Sequence, residues 1–126
     1  MERVSSGSRF EELASYSRAT RSGAWVAVAG TTPLDEEGTA LWPGDAYAQT
    51  KESLERALAA ARRLGAGRED VVRTRIYLVP EADWQAAVRA HGEIFRGAEP
   101  ANTTLFVAGL IPEACLVEVE LDALTS

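Results

Sequence analysis

The chain has 126 residues, 46% of them hydrophobic and 25% charged, the balance of one ordinary globular domain spanning residues 1–126 with enough apolar material for a core. Thirteen Lys and Arg against 19 Asp and Glu leave a net charge of −6, which argues against a nucleic-acid partner held by phosphate neutralisation. The longest apolar stretch, Ala24 to Ala29, is far short of the roughly 20 residues a bilayer-spanning helix needs, so no membrane partner is expected.

Residues 1–12 lack the apolar segment of a signal peptide, and the single Cys115 cannot form a disulfide within the chain. A cytoplasmic protein is the simplest expectation. Lys51 is the only lysine, which reads as a compositional bias toward arginine and not as a functional sign.

The first dozen residues are polar and read as frayed or as a short edge strand around Arg9 and Phe10. Ser17 to Arg21, a turn at Ser22-Gly23 and Ala24 to Ala29 predict a hairpin. Its nearly all-apolar second arm predicts an interior strand buried on both faces. Asp45 is a suitable N-cap for a helix whose apolar stripe runs through Tyr47, Thr50, Leu54, Ala57, Leu58, Ala61 and Leu64. Gly65 and Gly67 stop that helix. Val71 to Val79 then predicts a strand.

A second helix follows Pro80, with Trp84, Ala87, Val88, His91, Ile94 and Phe95 as its apolar positions and Gly97 as its end. Thr103 to Val107 and Leu116 to Leu121 have strand composition, and Ala108 to Ala114 connects them. The order β-β-α-β-α-β-β predicts an α+β fold with both helices on one face of a mostly antiparallel or mixed sheet. The other face is left bare, and oligomer formation is an economical way to cover it.

Common catalytic signatures are missing: there is no phosphate-binding glycine loop with its lysine and no Gly-x-Ser-x-Gly elbow. One His and one Cys cannot make a usual protein-only zinc site, so no metal is expected. His91 lies between Val88 and Phe95 on the apolar stripe, where a satisfied core or interface histidine is the plainer reading than a general base. Cys115 has no activating partner beside it in sequence and reads as a small buried hydrophobe.

The last strand alternates. Leu116, Glu118, Glu120 and Asp122 share one face, and Val117, Val119 and Leu121 share the other. Arg73, Arg75 and Tyr77 likewise share a face of the preceding strand. The plain account is cross-strand ion pairing of modest worth. The sharper one is a carboxylate partly buried at a subunit seam, able to hold a water or move a proton.

Five stretches together resemble the RidA (YjgF/UK114) family of imine and enamine deaminases, over about Tyr16 to Ala123. They are Ala29-Gly30-Thr31 before a Pro, Asp70 to Tyr77 (DVVRTRIY), Trp84 to Phe95, Pro100-Ala101-x-Thr103, and Val117-Glu118-Val119-Glu120. The resemblance implies a chorismate-mutase-like fold assembled as a homotrimer, with a central barrel of sheets, helices outside and small-molecule clefts between subunits. It implies no metal or organic cofactor. Glu118 fits the glutamate that positions the attacking water, and Tyr16, Gly30, Thr103 and Thr104 fit substrate-binding positions.

The family's carboxylate-binding arginine is Asn102 here. Guanidinium offers a charged, bidentate fork, and an amide offers one neutral donor group and one acceptor. Exchanging one for the other is expected to cost on the order of 1–3 kcal/mol of carboxylate binding. Val88 replaces the family's helix asparagine, and His91 falls where the family tends to have tyrosine, which places both as possible pocket-wall residues. The resemblance therefore implies an imine or enamine hydrolase, weak on small 2-imino acids. The alternative is a non-catalytic trimer that binds metabolites or regulates through the same cleft.

Overall fold

The computed structural model, which describes residues 1–126, has six strands: β1 (Glu2–Val4), β2 (Ala19–Ser22), β3 (Trp25–Thr31), β4 (Val71–Leu78), β5 (Ala101–Phe106) and β6 (Val117–Leu124). They form one sheet in the order β1-β2-β3-β6-β4-β5. Helices α1 (Arg9–Ala14), α2 (Ala46–Arg63) and α3 (Trp84–Phe95) complete the chain. Only β4 and β5 pair in parallel; every other neighbouring pair is antiparallel. A parallel pair needs a crossover, and α3 supplies it between β4 and β5. The last strand, β6, inserts between β3 and β4 and so joins the two halves of the sheet.

Period-two alternation decides which face is core. Val26, Val28, Ile76, Leu78, Val117, Val119 and Leu121 are buried on one side of the sheet. Against them pack Leu54, Ala57, Leu58 and Ala61 of α2 and Ala87 and Phe95 of α3. Asp45 and Asp83 cap the two long helices, accepting from Ala48 N and from Gln85 N and Ala86 N. The buried amide of Gln49 pins the approach to β6: its Nε2 donates to the Leu41 and Trp42 carbonyls, and its Oε1 accepts from Leu116 N.

The opposite face carries Arg73, Arg75 and Tyr77 in register with Asp122, Glu120 and Glu118. Trp25 and Leu124 lie at its end, 53% and 51% exposed. The expectation that Ala24 to Ala29 is buried on both faces fails within one chain, because only Val26 and Val28 point to the helices.

Two further expectations are corrected. The edge strand is Glu2–Val4, and Arg9 and Phe10 begin a helix instead. Ser8 caps that helix, accepting from Glu11 N while its hydroxyl donates to Glu11 Oε2. Ser5 and Ser6 also donate to the Glu11 carboxylate, which is buried. Trp84, placed on the apolar stripe of the second helix, is 49% exposed at its first turn.

Candidate active site

A glycine and a glutamate meet where β3 loses its register. Between Val28 and Thr31 the β3–β6 ladder shifts, with Val28 opposite Leu121 and Thr31 opposite Val119. One extra residue on β3 therefore sits in a bulge, which leaves Ala29 and Gly30 out of the ladder and their backbone groups free for other partners. The Glu118 side chain lies over Gly30 so closely that a Cβ there would stand 2.6 Å from Glu118 Oε2 and 2.9 Å from its Cδ. Only glycine leaves room for the carboxylate in this position.

Arg18 closes the cluster. It precedes β2, and its guanidinium donates through Nη2 to the Gly30 carbonyl. Its Cζ lies 6.0 Å from the centre of the Tyr16 ring. Burial pushes the Glu118 carboxyl above the usual carboxylate range; the Arg18 charge pulls it back and Glu120 adds to the rise. A carboxyl raised in this way is suited to exchanging a proton with a bound water.

Tyr16, Arg18, Gly30 and Glu118 line one cavity of about 1150 Å³. Its lining also includes Phe10 and Leu13 from α1 and Ile111 from the β5–β6 connection, beside the charged Arg9, Asp35, Glu36, Glu37 and Arg56. Leu13 and Ile111 are 84% and 80% exposed. The serine-capped helix that supports Phe10 and Leu13 was readable as Ser8-x-x-Glu11, an N-terminal helix signature that the reading of the first dozen residues passes over.

Asn102, Thr103, Thr104, Val88 and His91 do not line this cavity. They belong to β5 and α3, with β4 standing between β5 and β6. Register places Asn102 beside Thr74 and Thr104 beside Ile76, on the helix side, while Thr103 lies beside Arg75 on the bare face. On the helix side a second cluster forms. Asn102 Nδ2 donates to Thr74 Oγ1 at 3.1 Å, and Thr104 Oγ1 donates to Asn102 Oδ1 at 2.8 Å. Thr74, fully buried, is 2.7 Å from His91 Nε2.

Thr74 Oγ1 thus accepts from Asn102 and shares a hydrogen bond with His91 Nε2, which links the two side chains. Burial pushes the His91 pKa down. Phe95 stacks on its ring at 4.7 Å between centroids. Val88 is half-buried on the same helix. Together these contacts fix the Asn102 amide while leaving one of its N–H donors and one acceptor lone pair unspent.

Of the bare face's other carboxylates, Glu120 and Asp122 are partnered. Arg75 pairs with Glu120 at 3.6 Å and Asp122 at 3.4 Å. Tyr77 donates to Glu120, and this bond, helped by burial, pushes the phenol up to about 12. The cross-strand pairing account thus describes Glu120 and Asp122, and Glu118 is the carboxylate left out of it. Cys115 is fully buried, and burial pushes its thiol up, away from nucleophile chemistry. No three His, Cys, Asp or Glu side chains converge as a metal site requires, and no helix is long and apolar enough to cross a membrane.

Fold and cavity define an α+β protein whose sheet carries helices on one face and a lone carboxylate, set over a bulge glycine, at the head of a small-molecule-sized cavity. A family model described as Endoribonuclease L-PSP matches residues 6–125. An uncharacterized protein of Streptomyces coelicolor is 43% identical over 122 residues, covering 96% of this chain and 90% of that one. The 3-aminoacrylate deaminase RutC of Acinetobacter baylyi is 35% identical over 107 residues, covering 85% and 84%. A crystal structure of a YjgF/YER057c/UK114 family member from Mycobacterium tuberculosis superposes with a TM-score of 0.88 at 40% identity, covering 98% of each chain. The chain belongs to the RidA (YjgF/YER057c/UK114) family.

Proposed function

We propose that this protein hydrolyses an imine, enamine or related small metabolite, with Glu118 placing the attacking water. The observation that carries this reading is the Glu118 carboxylate itself: half-buried over Gly30, raised in pKa and unpaired in a face where its neighbours are paired. In the proposed step Glu118 takes a proton as water oxygen bonds to the C=N carbon, and the imine nitrogen takes up a proton. The carbinolamine then breaks its C–N bond, releasing ammonia and a carbonyl compound. An enamine enters the same step after protonation at carbon. Water is the only co-reactant. The name of the Acinetobacter relative, a 3-aminoacrylate deaminase, supports this reaction class.

The complete site is proposed to form in a homotrimer whose bare sheet faces meet. The partly exposed Trp25, Leu124 and Leu105 would be covered there, and the Asn102–Thr103–Thr104 edge of one copy would complete the Glu118 cavity of the next. Asn102 then offers a neutral donor and acceptor where the family has its arginine, so small 2-imino acids lose a charged contact and are turned over weakly. The test is ammonia release from 2-iminobutanoate, generated in situ by an amino-acid oxidase, and from a panel of other imines. Wild type should accelerate at least one of them over buffer and sediment as three chains. Glu118→Gln should lower that rate by roughly 10²–10⁴-fold, the usual weight of a positioned acid–base group. Buffer-level rates throughout, with Glu118→Gln indistinguishable from wild type, would sink the proposal.

A further inference from the structure

One stretch of the chain, from Ser6 to Tyr16, supplies much of the lining of the Glu118 cavity, with Phe10 and Leu13 among its side chains. The ends of this stretch are pinned together. Val4 closes β1 in the sheet, and Arg18 N donates to the Val4 carbonyl at 2.8 Å. Residues 5–17 thus leave the sheet and return to it at one point, the shape of an Ω-loop. Between those ends, the hydrogen bonds of residues 5–16 stay inside the segment. Glu12 N donates to the Ser8 carbonyl, and Ser15 N and Tyr16 N donate to the Glu11 carbonyl. No ion pair joins the segment to the body. The hydrophobic core includes Val4 and Ala19 and takes no residue from between them.

One side chain holds the shape of the segment. The buried Glu11 carboxylate gathers Ser5 Oγ at 3.0 Å, Ser6 N at 3.0 Å, Ser8 Oγ at 3.1 Å and the Ser6 hydroxyl. Burial raises this carboxyl, and the bonds from Ser6, Ser5 and Ser8 more than offset that, holding it below the usual carboxylate range. Gly7 at φ +76° and Ser15 at φ 58° turn the chain on either side of α1. Phe10 and Leu13, in contrast, are 47% and 84% exposed while lining the cavity. A segment closed by its own bonds and joined to the body at its ends moves as a unit without breaking a hydrogen bond to the body. Such a unit belongs to the least stable part of a fold.

We propose that residues 5–17 are a lid on the Glu118 cavity, which swings about the Val4–Arg18 junction and keeps its shape through Glu11. The structure shows the closed position, in which Phe10 and Leu13 shield Glu118 from bulk water. Opening gives up the contacts of two side chains that are already part exposed, and it lets a ligand in or a product out. This rests on the hydrolase reading only in making Glu118 the reacting group; access to Glu118 is gated whatever the ligand.

The experiment introduces a thiol by Glu118→Cys and follows its alkylation by iodoacetamide, whose rate reads access to the cavity. The fully buried Cys115 of the same chain is the internal control for global unfolding. Adding Glu11→Ala should speed alkylation of the introduced thiol about tenfold or more, because several hydrogen bonds to a charged group are lost. Cys115 should stay unlabelled, and alanine keeps the helix propensity of α1. Ser6→Ala, which removes one of those bonds, should act in the same direction and less. With the cavity untouched, trypsin reads the same motion: Glu11→Ala should quicken cleavage after Arg9, inside α1, ahead of cleavage after Arg18, which the sheet anchors. Wild type is tested by hydrogen exchange, where the amides of α1 should exchange well before those of β3 and β6. Alkylation indifferent to Glu11→Ala, Cys115 labelled in step with the introduced thiol, or α1 exchanging at the rate of the sheet overturns the proposal. Gated alkylation without turnover of any imine would keep the lid and discard the hydrolase; turnover with ungated alkylation would do the reverse.

Discussion

Glu118 and Asn102 stand on one sheet in surroundings built on opposite plans. Around Asn102 the polar groups bond one another: Thr104 donates to it, it donates to Thr74, and Thr74 shares a hydrogen bond with His91. Around Glu118 partners are withheld. Arg18 is near without forming an ion pair, its Nε is idle, and a bulge has taken the Gly30 carbonyl out of the ladder. A linked network fixes geometry, whereas groups without partners keep capacity for a ligand. The Asn102 edge is thus suited to orienting, and the Glu118 cavity to reacting.

The strongest way to break that contrast is to open the linked network around Asn102. Thr74→Val keeps the shape of the buried side chain and removes the hydroxyl that serves both Asn102 and His91. Leaving those groups without a partner should cost about 1–3 kcal/mol, read as a lower denaturation midpoint. Imine turnover should fall far less than in Glu118→Gln. If Thr74→Val slows turnover as much as Glu118→Gln does, the two regions are one network and the contrast is false.

A smaller effect is expected from Tyr77, directly opposite Glu118 in the β4–β6 register. Its phenol serves Glu120 and should stay protonated to about pH 12. A raised folded pKa contributes stability below the ordinary tyrosine value of 10.0 that is lost as pH rises through about 12. Tyr77→Phe should abolish that loss and lower stability at neutral pH by about 0.5–1.5 kcal/mol, the net worth of one hydrogen bond. Stability of wild type that is flat between pH 10 and 12 would mean that the Tyr77–Glu120 bond contributes nothing.

Much of this was legible in the residues. The stripe from Thr50 to Leu64 and the alternation of Val117, Val119 and Leu121 against Glu118, Glu120 and Asp122 name the buried faces, because burial follows the helical and strand periods. Resemblance matched Gly30 and Glu118 to positions of one pocket, and the contact between them shows why glycine stands there. What escaped was long-range. No local pattern says that Thr74 joins Asn102 to His91 across 28 and 17 residues. Nor does any say that Arg18, among twelve arginines, is the one left with an idle buried donor. The first dozen residues were misread because Ser8 and Glu11 act as a cap, a signal smaller than the polarity around it.

The subtlest test turns on the stability of Glu118 itself. Burial raises its folded pKa above the ordinary 4.5, so the native state holds the proton more tightly than the unfolded chain does. Where the native state binds more protons, stability falls as pH rises, and this continues from about 4.5 up through the folded pKa. Above that point the ionised carboxylate stands in the fold at a cost, reduced because it keeps contact with solvent. Glu118→Gln removes the charge and should raise stability at pH 7, by less than about 1 kcal/mol. The gain should vanish below pH 4.5, where both states of the wild type are protonated. A variant more stable at neutral pH and slower in turnover would mark Glu118 as a group held against the interest of the fold, as reactive groups tend to be. Equal or lower stability of Glu118→Gln at pH 7 would instead make Glu118 one more satisfied carboxylate, and the difference between the two regions would disappear.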